Sequence, residues 1–137
     1  MGPNAAPVVR VLIVDDQEHF RRGLRAALES ADEPIEVVGE AVDGDEAIEL
    51  TRQLDPDVVL LDVRMPGTNG ISAAQVLNTF ERAPRLLMLT VSDKPEDIAS
   101  ATKAGASGYM LKERSMHDVV DAVLSLARGD QWPLAAG

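Results

Sequence analysis

Short apolar runs alternate five times with amphipathic stretches along this chain, and that alternation leaves few folds open. Val8–Val14 is nearly continuous in β-branched residues and leucine, as a strand buried on both faces requires. Phe20, Leu24, Ala27 and Leu28 follow at helical spacing. Ile35–Val38 reads as a second strand. Asp43-Gly44-Asp45 then opens a helix whose apolar residues are Ala47, Ile48, Leu50 and Leu54, with acids in its first turn where the helix dipole favours them. Pro56 stops that helix ahead of a third strand, Val58–Leu61. Met65–Gly70 is dense in turn formers and predicts a loop, after which Ile71, Ala74, Leu77 and Phe80 mark a helix face. Leu86–Leu89 is the fourth strand. A helix starting at Pro95 runs toward Ala104 and is closed by Gly105, and Tyr109–Leu111 is a short fifth strand. Val119, Val120, Val123, Leu124 and Ala127 predict a last helix that Gly129 terminates. Strands alternating with helices predict an α/β chain whose parallel sheet is covered on both faces, and right-handed crossovers make it doubly wound.

At 137 residues the chain has room for one core and not two. Residues 1–7 read as a loose tail, 8–128 as the domain, and 129–137 as the beginning of a linker. Trp132 lies in that last stretch, where it either packs back on the domain or belongs to a junction. There is no cysteine, so disulfides and thiolate metal sites are excluded, and no apolar run approaches the ~18 residues of a membrane helix. Acids outnumber bases 23 to 13, a net charge of −10, and aromatic residues are only 3%. Such a surface repels nucleic acid and offers few bases a stacking partner, so this chain is not expected to bind DNA or RNA directly. The acidic excess serves solubility, or some of the carboxylates are gathered to hold a cation.

In an open parallel sheet ligands bind beyond the carboxyl ends of the strands. The first strand ends in Asp15-Asp16, the third in Asp62 and the fourth in Thr90, while Lys112 follows the fifth. Glu40 follows the second strand, at the sheet margin. Each residue alone has an ordinary reading: Asp15 or Asp16 as a helix cap, Thr90 as a turn residue, Lys112 as a solvated charge. Together they would place three carboxylates, a hydroxyl and an ammonium at one edge. Hard oxygen donors without His or Cys favour Mg²⁺ or a similar ion. A Lys and a Thr beside spare carboxylates suit phosphoryl chemistry, with Asp62 as nucleophile. His19 reads as a partly exposed helix residue and not a ligand, and Met65, Met88, Met110 and Met116 as packing residues.

These segments, in this order, strongly resemble the receiver domain of bacterial two-component response regulators. The resemblance rests on Leu12-Ile13-Val14-Asp15-Asp16, on Val58–Gly67 with Asn69-Gly70, on Leu89-Thr90, and on Gly105–Lys112, and it spans about Val8 to Arg128. Phe20-Arg21-Arg22-Gly23-Leu24, Val38-Gly39-Glu40-Ala41 and Gly-Ala-Ser-Gly-Tyr at 105–109 are similar to the NarL/FixJ-type subfamily with LuxR-type output. The resemblance implies a flavodoxin-like (βα)5 fold with strand order 2-1-3-4-5. It implies a signalling phospho-acceptor and not an enzyme in the ordinary sense. Asp62 would take a phosphoryl group from a sensor histidine kinase. Asp16 and Asp62 would ligate Mg²⁺ (or Mn²⁺) directly, Asp15 through water, and Arg64 by its backbone carbonyl. Thr90 and Lys112 would hold the phosphoryl group, and Thr90 and Tyr109 would act as the switch. The subfamily implies a cytoplasmic protein, a second copy of the chain as partner, and a C-terminal helix-turn-helix DNA-binding domain that is not in this sequence.

Three alternatives stay open. One is a natural single-domain receiver, another a receiver-like module that works without phosphorylation. The third is a hydrolase with an aspartyl-phosphate intermediate, although Arg64 stands where that chemistry wants a second acid. The sequence departs from many receivers in having Glu113, not proline, after Lys112, so a trans bond is expected there. Arg64 would either screen the site or face solvent. The Thr90–Lys94 loop would be the moving element. Ala101, Ala104 and Ala106 either give the surface beside it a small, close-packing character or are ordinary helix and packing residues.

Overall fold

The computed structural model describes residues 7–91, 94–130 and 132. The expected moving loop therefore lies partly outside the described residues, as do most of the tail and the linker. Five strands and five helices alternate: β1 Val9–Val14, α1 Glu18–Glu29, β2 Ile35–Ala41, α2 Gly44–Leu54, β3 Val58–Asp62, α3 Gly70–Leu77, β4 Arg85–Thr90, α4 Pro95–Lys103, β5 Gly108–Leu111 and α5 Met116–Ala127. All pairings are parallel and the strand order is β2-β1-β3-β4-β5. This is the doubly wound, flavodoxin-like arrangement expected from the alternation and the resemblance.

The period of two along each strand divides the core into two layers. Leu12, Val14, Val59, Leu61, Leu86 and Met88 face α2, α3 and α4, where they meet Ala47, Ala73, Ala74, Leu77, Ala101 and Ala104. Val11, Ile13, Val58, Leu60, Leu87 and Leu89 face the other way and pack on Leu24 and Leu28 of α1 and on Val119, Ala122, Val123 and Leu126 of α5. Every residue of β3 is buried, as the central position demands. Ala101, Ala104 and Ala106 are 0%, 2% and 9% exposed, which fits ordinary packing, the second of their two readings, and not an outer surface. All three belong to the core layer that faces α2, α3 and α4.

Two further boundaries differ from the sequence expectation. The second strand continues past Val38 to Ala41. A register shift between Val11 and Leu12 puts Val37 opposite Val11 and Gly39 opposite Leu12, so Val38 is the extra residue of a bulge. Gly39 weakens the strand signal, and the bulge lets pairing resume through Glu40. The third helix stops at Leu77, with Asn78 as its C-cap, and Phe80 packs against the core from beyond its end. Trp132 is half-buried and packs on the α1/α5 layer near Gly108. Its packing back was one of the two readings of that residue.

Candidate functional site

The site is built from strand ends. β1, β3 and β4 lie side by side, so Asp15, Asp62 and Thr90 arrive at the same edge of the sheet. Asp15 and Asp62 are almost fully buried, Thr90 wholly so, and Asp16 is exposed. The carboxylate oxygens of Asp15, Asp16 and Asp62 come within 4.8 Å of one another. Neither aspartate of the pair caps the first helix. Its N-cap is Gln17, whose backbone N–H donates to Asp15 Oδ1 at 2.9 Å.

Lys112 reaches into this cluster from the end of β5. Its Nζ lies 2.6 Å from Asp15 Oδ2 and donates to Asp62 Oδ2 at 3.1 Å and to Gln17 Oε1 at 3.3 Å. The ring of Phe20 covers the ammonium, 4.6 Å from its centroid. The backbone supports the reach, since the Lys112 N–H donates to the Thr90 carbonyl at 2.8 Å. The Lys112–Glu113 bond is trans, as expected without proline.

The loop after β3 completes the frame. Asp62 Oδ1 accepts the backbone N–H of Arg64 at 3.2 Å, leaving the Arg64 side chain outside the cluster, 62% exposed and 3.6 Å from Asp97 of α4. Asn69 caps α3 through the Ser72 N–H, and the Gly70 N–H donates to the Val63 carbonyl. Gly70 must be glycine, because a Cβ there would stand 2.1 Å from the Asp62 carbonyl oxygen. Gly44 has the same reason, a Cβ lying 2.5 Å from the Thr68 carbonyl that its own N–H bonds. Both glycines bring a helix start close, Gly70 against Asp62 and Val63 and Gly44 against Thr68 in the loop that follows β3.

Electrostatics follow from burial. Desolvation is the largest influence on Asp62 and, with the charge of Asp15, raises its pKa although Lys112 pulls the other way. Burial opposes the charge on Lys112, but its hydrogen bonds to Asp15 and Asp62 together outweigh this and hold its pKa above the ordinary value. Two buried carboxylates thus share one ammonium, with the exposed Asp16 beside them. A hard divalent cation suits this donor set of oxygens alone, part buried and part open through Asp16.

Of the residues expected from the sequence, Asp15, Asp16, Asp62 and Lys112 meet directly. Thr90 stands at the end of the neighbouring strand, with Leu89 opposite Asp62 and Thr90 opposite Leu111. Tyr109 is buried one strand further, opposite Met88. His19 is exposed. Phe20 and Gln17 are contacts that sequence reasoning missed. No sequence signal pairs them with a lysine 95 residues away from Gln17.

Residues 11–124 match the response regulator receiver domain family. The nitrate/nitrite response regulator NarL of Escherichia coli K12 is 38% identical over 120 residues, covering 88% of this chain and 55% of that protein. The probable transcriptional regulatory protein NarL of Mycobacterium tuberculosis H37Rv is 41% identical over 121 residues, again 88% of this chain and 56% of its own length. The chain therefore spans about half the length of these curated relatives. The solved signal receiver domain of the M. tuberculosis NarL superposes with a TM-score of 0.86 at 40% identity, covering 90% of this chain and 99% of that one. The receiver domain of RcsB from Salmonella enterica, at 27% identity, gives 0.83 over 93% and 94%. With the acidic edge, the glycine-tightened loop and the lysine all in place on this fold, the chain belongs to the response regulator receiver domain family and to its NarL-type branch.

Proposed function

We propose that this domain accepts a phosphoryl group on Asp62 and uses it to switch an output. The observation that carries the reading is the Asp62 carboxylate itself, nearly buried, next to Asp15 and Asp16, with Lys112 Nζ 3.1 Å from Oδ2. In the transfer, an Asp62 oxygen attacks phosphorus, the P–N bond of a kinase phosphohistidine breaks, and the imidazole leaves with the bonding electrons. Asp16 and Asp62 would hold Mg²⁺ directly, with Asp15 acting through water and Arg64 through its carbonyl; the ion would neutralise charge on the transferring group. Lys112 can follow a phosphoryl oxygen from its present place between Asp15 and Asp62. Thr90 offers its hydroxyl from the next strand. Phosphorylation adds roughly two negative charges at this edge. Thr90 and Tyr109, on β4 and β5, then carry the change toward the outer helices.

The longer NarL-type relatives support the wider reading. We infer a cytoplasmic transcriptional regulator with a sensor histidine kinase upstream, and a C-terminal DNA-binding domain and self-association downstream. Among the described residues no helix is long and apolar enough to cross a membrane.

The test is direct. Incubation with acetyl phosphate and Mg²⁺ should give one phosphoryl adduct by intact mass, and Asp62→Asn should give none. An equal adduct on the variant would overturn the assignment. No adduct on the wild type would favour a receiver that works without phosphorylation.

A further inference from the structure

We propose that Arg21, on α1, is a positioning residue for the acidic pair. The inference rests on the reading of Asp15, Asp16 and Asp62 as a cation and phosphoryl site. Arg21 is outside that site, yet its side chain is only 12% exposed and its guanidinium makes two directed contacts. One arm, Nη1, donates to the backbone carbonyl of Asp15 at 2.7 Å. The Nε donates to Glu40 Oε1 at 2.9 Å. Glu40 in turn sits in β2 opposite Ile13, in the stretch that the bulge at Val38 restores to pairing. A second arginine, Arg25, binds the other Glu40 oxygen.

The consequence lies in the Asp15–Asp16 peptide. On one side, the Asp15 N–H donates to the Ala41 carbonyl at 3.0 Å, tying it to the edge strand. On the other, the Asp15 carbonyl is held by Arg21. The side chain of Asp15 is held by Gln17 and Lys112. Asp16 is exposed, and among the described residues nothing binds its carboxylate. Its direction is therefore set by the backbone that precedes it, and Arg21 is the side chain that clamps that backbone. Glu40 keeps the guanidinium oriented: burial alone would raise its pKa, but the hydrogen bonds from Arg25 and Arg21 together hold it below the ordinary carboxylate range. It therefore stays charged at neutral pH.

A planar fork that binds a carboxylate with one edge and a carbonyl with another is a task for arginine, which lysine cannot copy. Groups that orient a ligand without touching the metal typically change affinity by 10–100-fold when removed. For a site with one exposed ligand, the lower end is expected.

The experiment measures Mn²⁺ affinity by electron paramagnetic resonance of the free ion, which needs no phosphorylation. Arg21→Ala should weaken Mn²⁺ binding about tenfold. Arg25→Ala, which also removes an arginine from Glu40 but leaves the Asp15 carbonyl bound, should change it less than twofold. Arg21→Lys should resemble Arg21→Ala, and it stands in if the alanine variant does not fold by near-ultraviolet circular dichroism. Equal affinity in Arg21→Ala, Arg21→Lys and wild type would overturn the proposal, as would equal losses in the Arg21 and Arg25 variants. A wild type that binds no Mn²⁺ would instead overturn the cation site on which the inference rests.

Discussion

The two ends of the sheet both gather aspartates and cations, and they settle the charge in opposite ways. At the amino-terminal end, Asp55 and Asp57 meet Arg82, whose guanidinium contacts both, while Asp57 Oδ2 accepts the Arg10 N–H and the Arg10 side chain bonds the carbonyls of Leu54 and Asp55 at the end of α2. Two acids face two bases, and Arg82 is 69% exposed. At the carboxyl end three acids face one lysine, with side-chain exposures of 2% for Asp15, 7% for Asp62 and 11% for Lys112. The first cluster is matched and wet, and it joins loops. The second is unmatched, and dry at Asp15, Asp62 and Lys112 although open at Asp16. A chain keeps an unmatched buried cluster at a cost in stability, which points to ligand binding there and not to packing.

The largest effect should come from removing the one cation of the dry end. Lys112→Met leaves Asp15 and Asp62 buried without compensation and should lower stability by about 3 kcal/mol in EDTA, read by urea unfolding at pH 7. Added Mg²⁺ should recover part of the loss and should raise the variant's midpoint more than the wild type's. The wild type should also lose stability at alkaline pH as the Lys112 ammonium, held above its ordinary pKa, finally releases its proton. That loss should be absent in the variant. A variant as stable as wild type in EDTA would mean that the two carboxylates do not depend on Lys112.

Neutralising one acid at each end should then give opposite signs. Asp62 holds its proton to higher pH in the folded chain than in the unfolded one, so its contribution is fully present below about pH 3.9 and is lost as pH rises through the folded value. At pH 7 in EDTA the ionised Asp62 is therefore a burden. Asp62→Asn should raise stability by about 1 kcal/mol and remove that part of the decline with pH. Asp57→Asn breaks a carboxylate that accepts the Arg10 N–H and an Arg82 contact, and should lower stability by about 1 kcal/mol. Urea midpoints of the two variants between pH 4 and 7 decide the matter. The same sign for both would erase the contrast between the ends.

How far this contrast could be read before the fold was known depends on what kind of information a residue carries alone. Val58–Asp62 was legible because a central strand is apolar at every position, so its end and the aspartate there are marked by composition. Order along the chain then placed Asp15, Thr90 and Lys112 at the same edge. The end of β2 was not legible, because Gly39 and a bulge interrupt the pattern that would have carried it to Ala41. Partner choice was hidden too. Arg21 and Glu40 are 19 residues apart in the chain, Arg10 and Asp57 are 47 apart, and nothing local says which arginine meets which acid. The alanines at 101, 104 and 106 left two readings open, because smallness marks a close approach without saying whether the neighbour is a partner or the chain's own core. Thr51 is buried with its hydroxyl unbonded, a position where sequence alone would not place a polar atom.

The smallest effect belongs to Arg82, and it sharpens the comparison through salt. Arg82 contacts two acids, which by counting looks stronger than many ion pairs. Its exposure argues otherwise. A side chain 69% in water gives up rotamer freedom to form these contacts and gains only a screened attraction. Arg82→Ala should therefore cost about 0.5 kcal/mol at low ionic strength, and the difference should vanish in roughly 1 M NaCl, where the screening length is near 3 Å. The loss in Lys112→Met should persist in the same salt, because its partners are shielded from mobile ions by the protein itself. Paired denaturation curves at low and high NaCl measure both. If the Arg82 penalty survived the salt, the amino-terminal cluster would be as dry as Asp15, Asp62 and Lys112, and exposure would no longer separate the end that joins loops from the end proposed to bind.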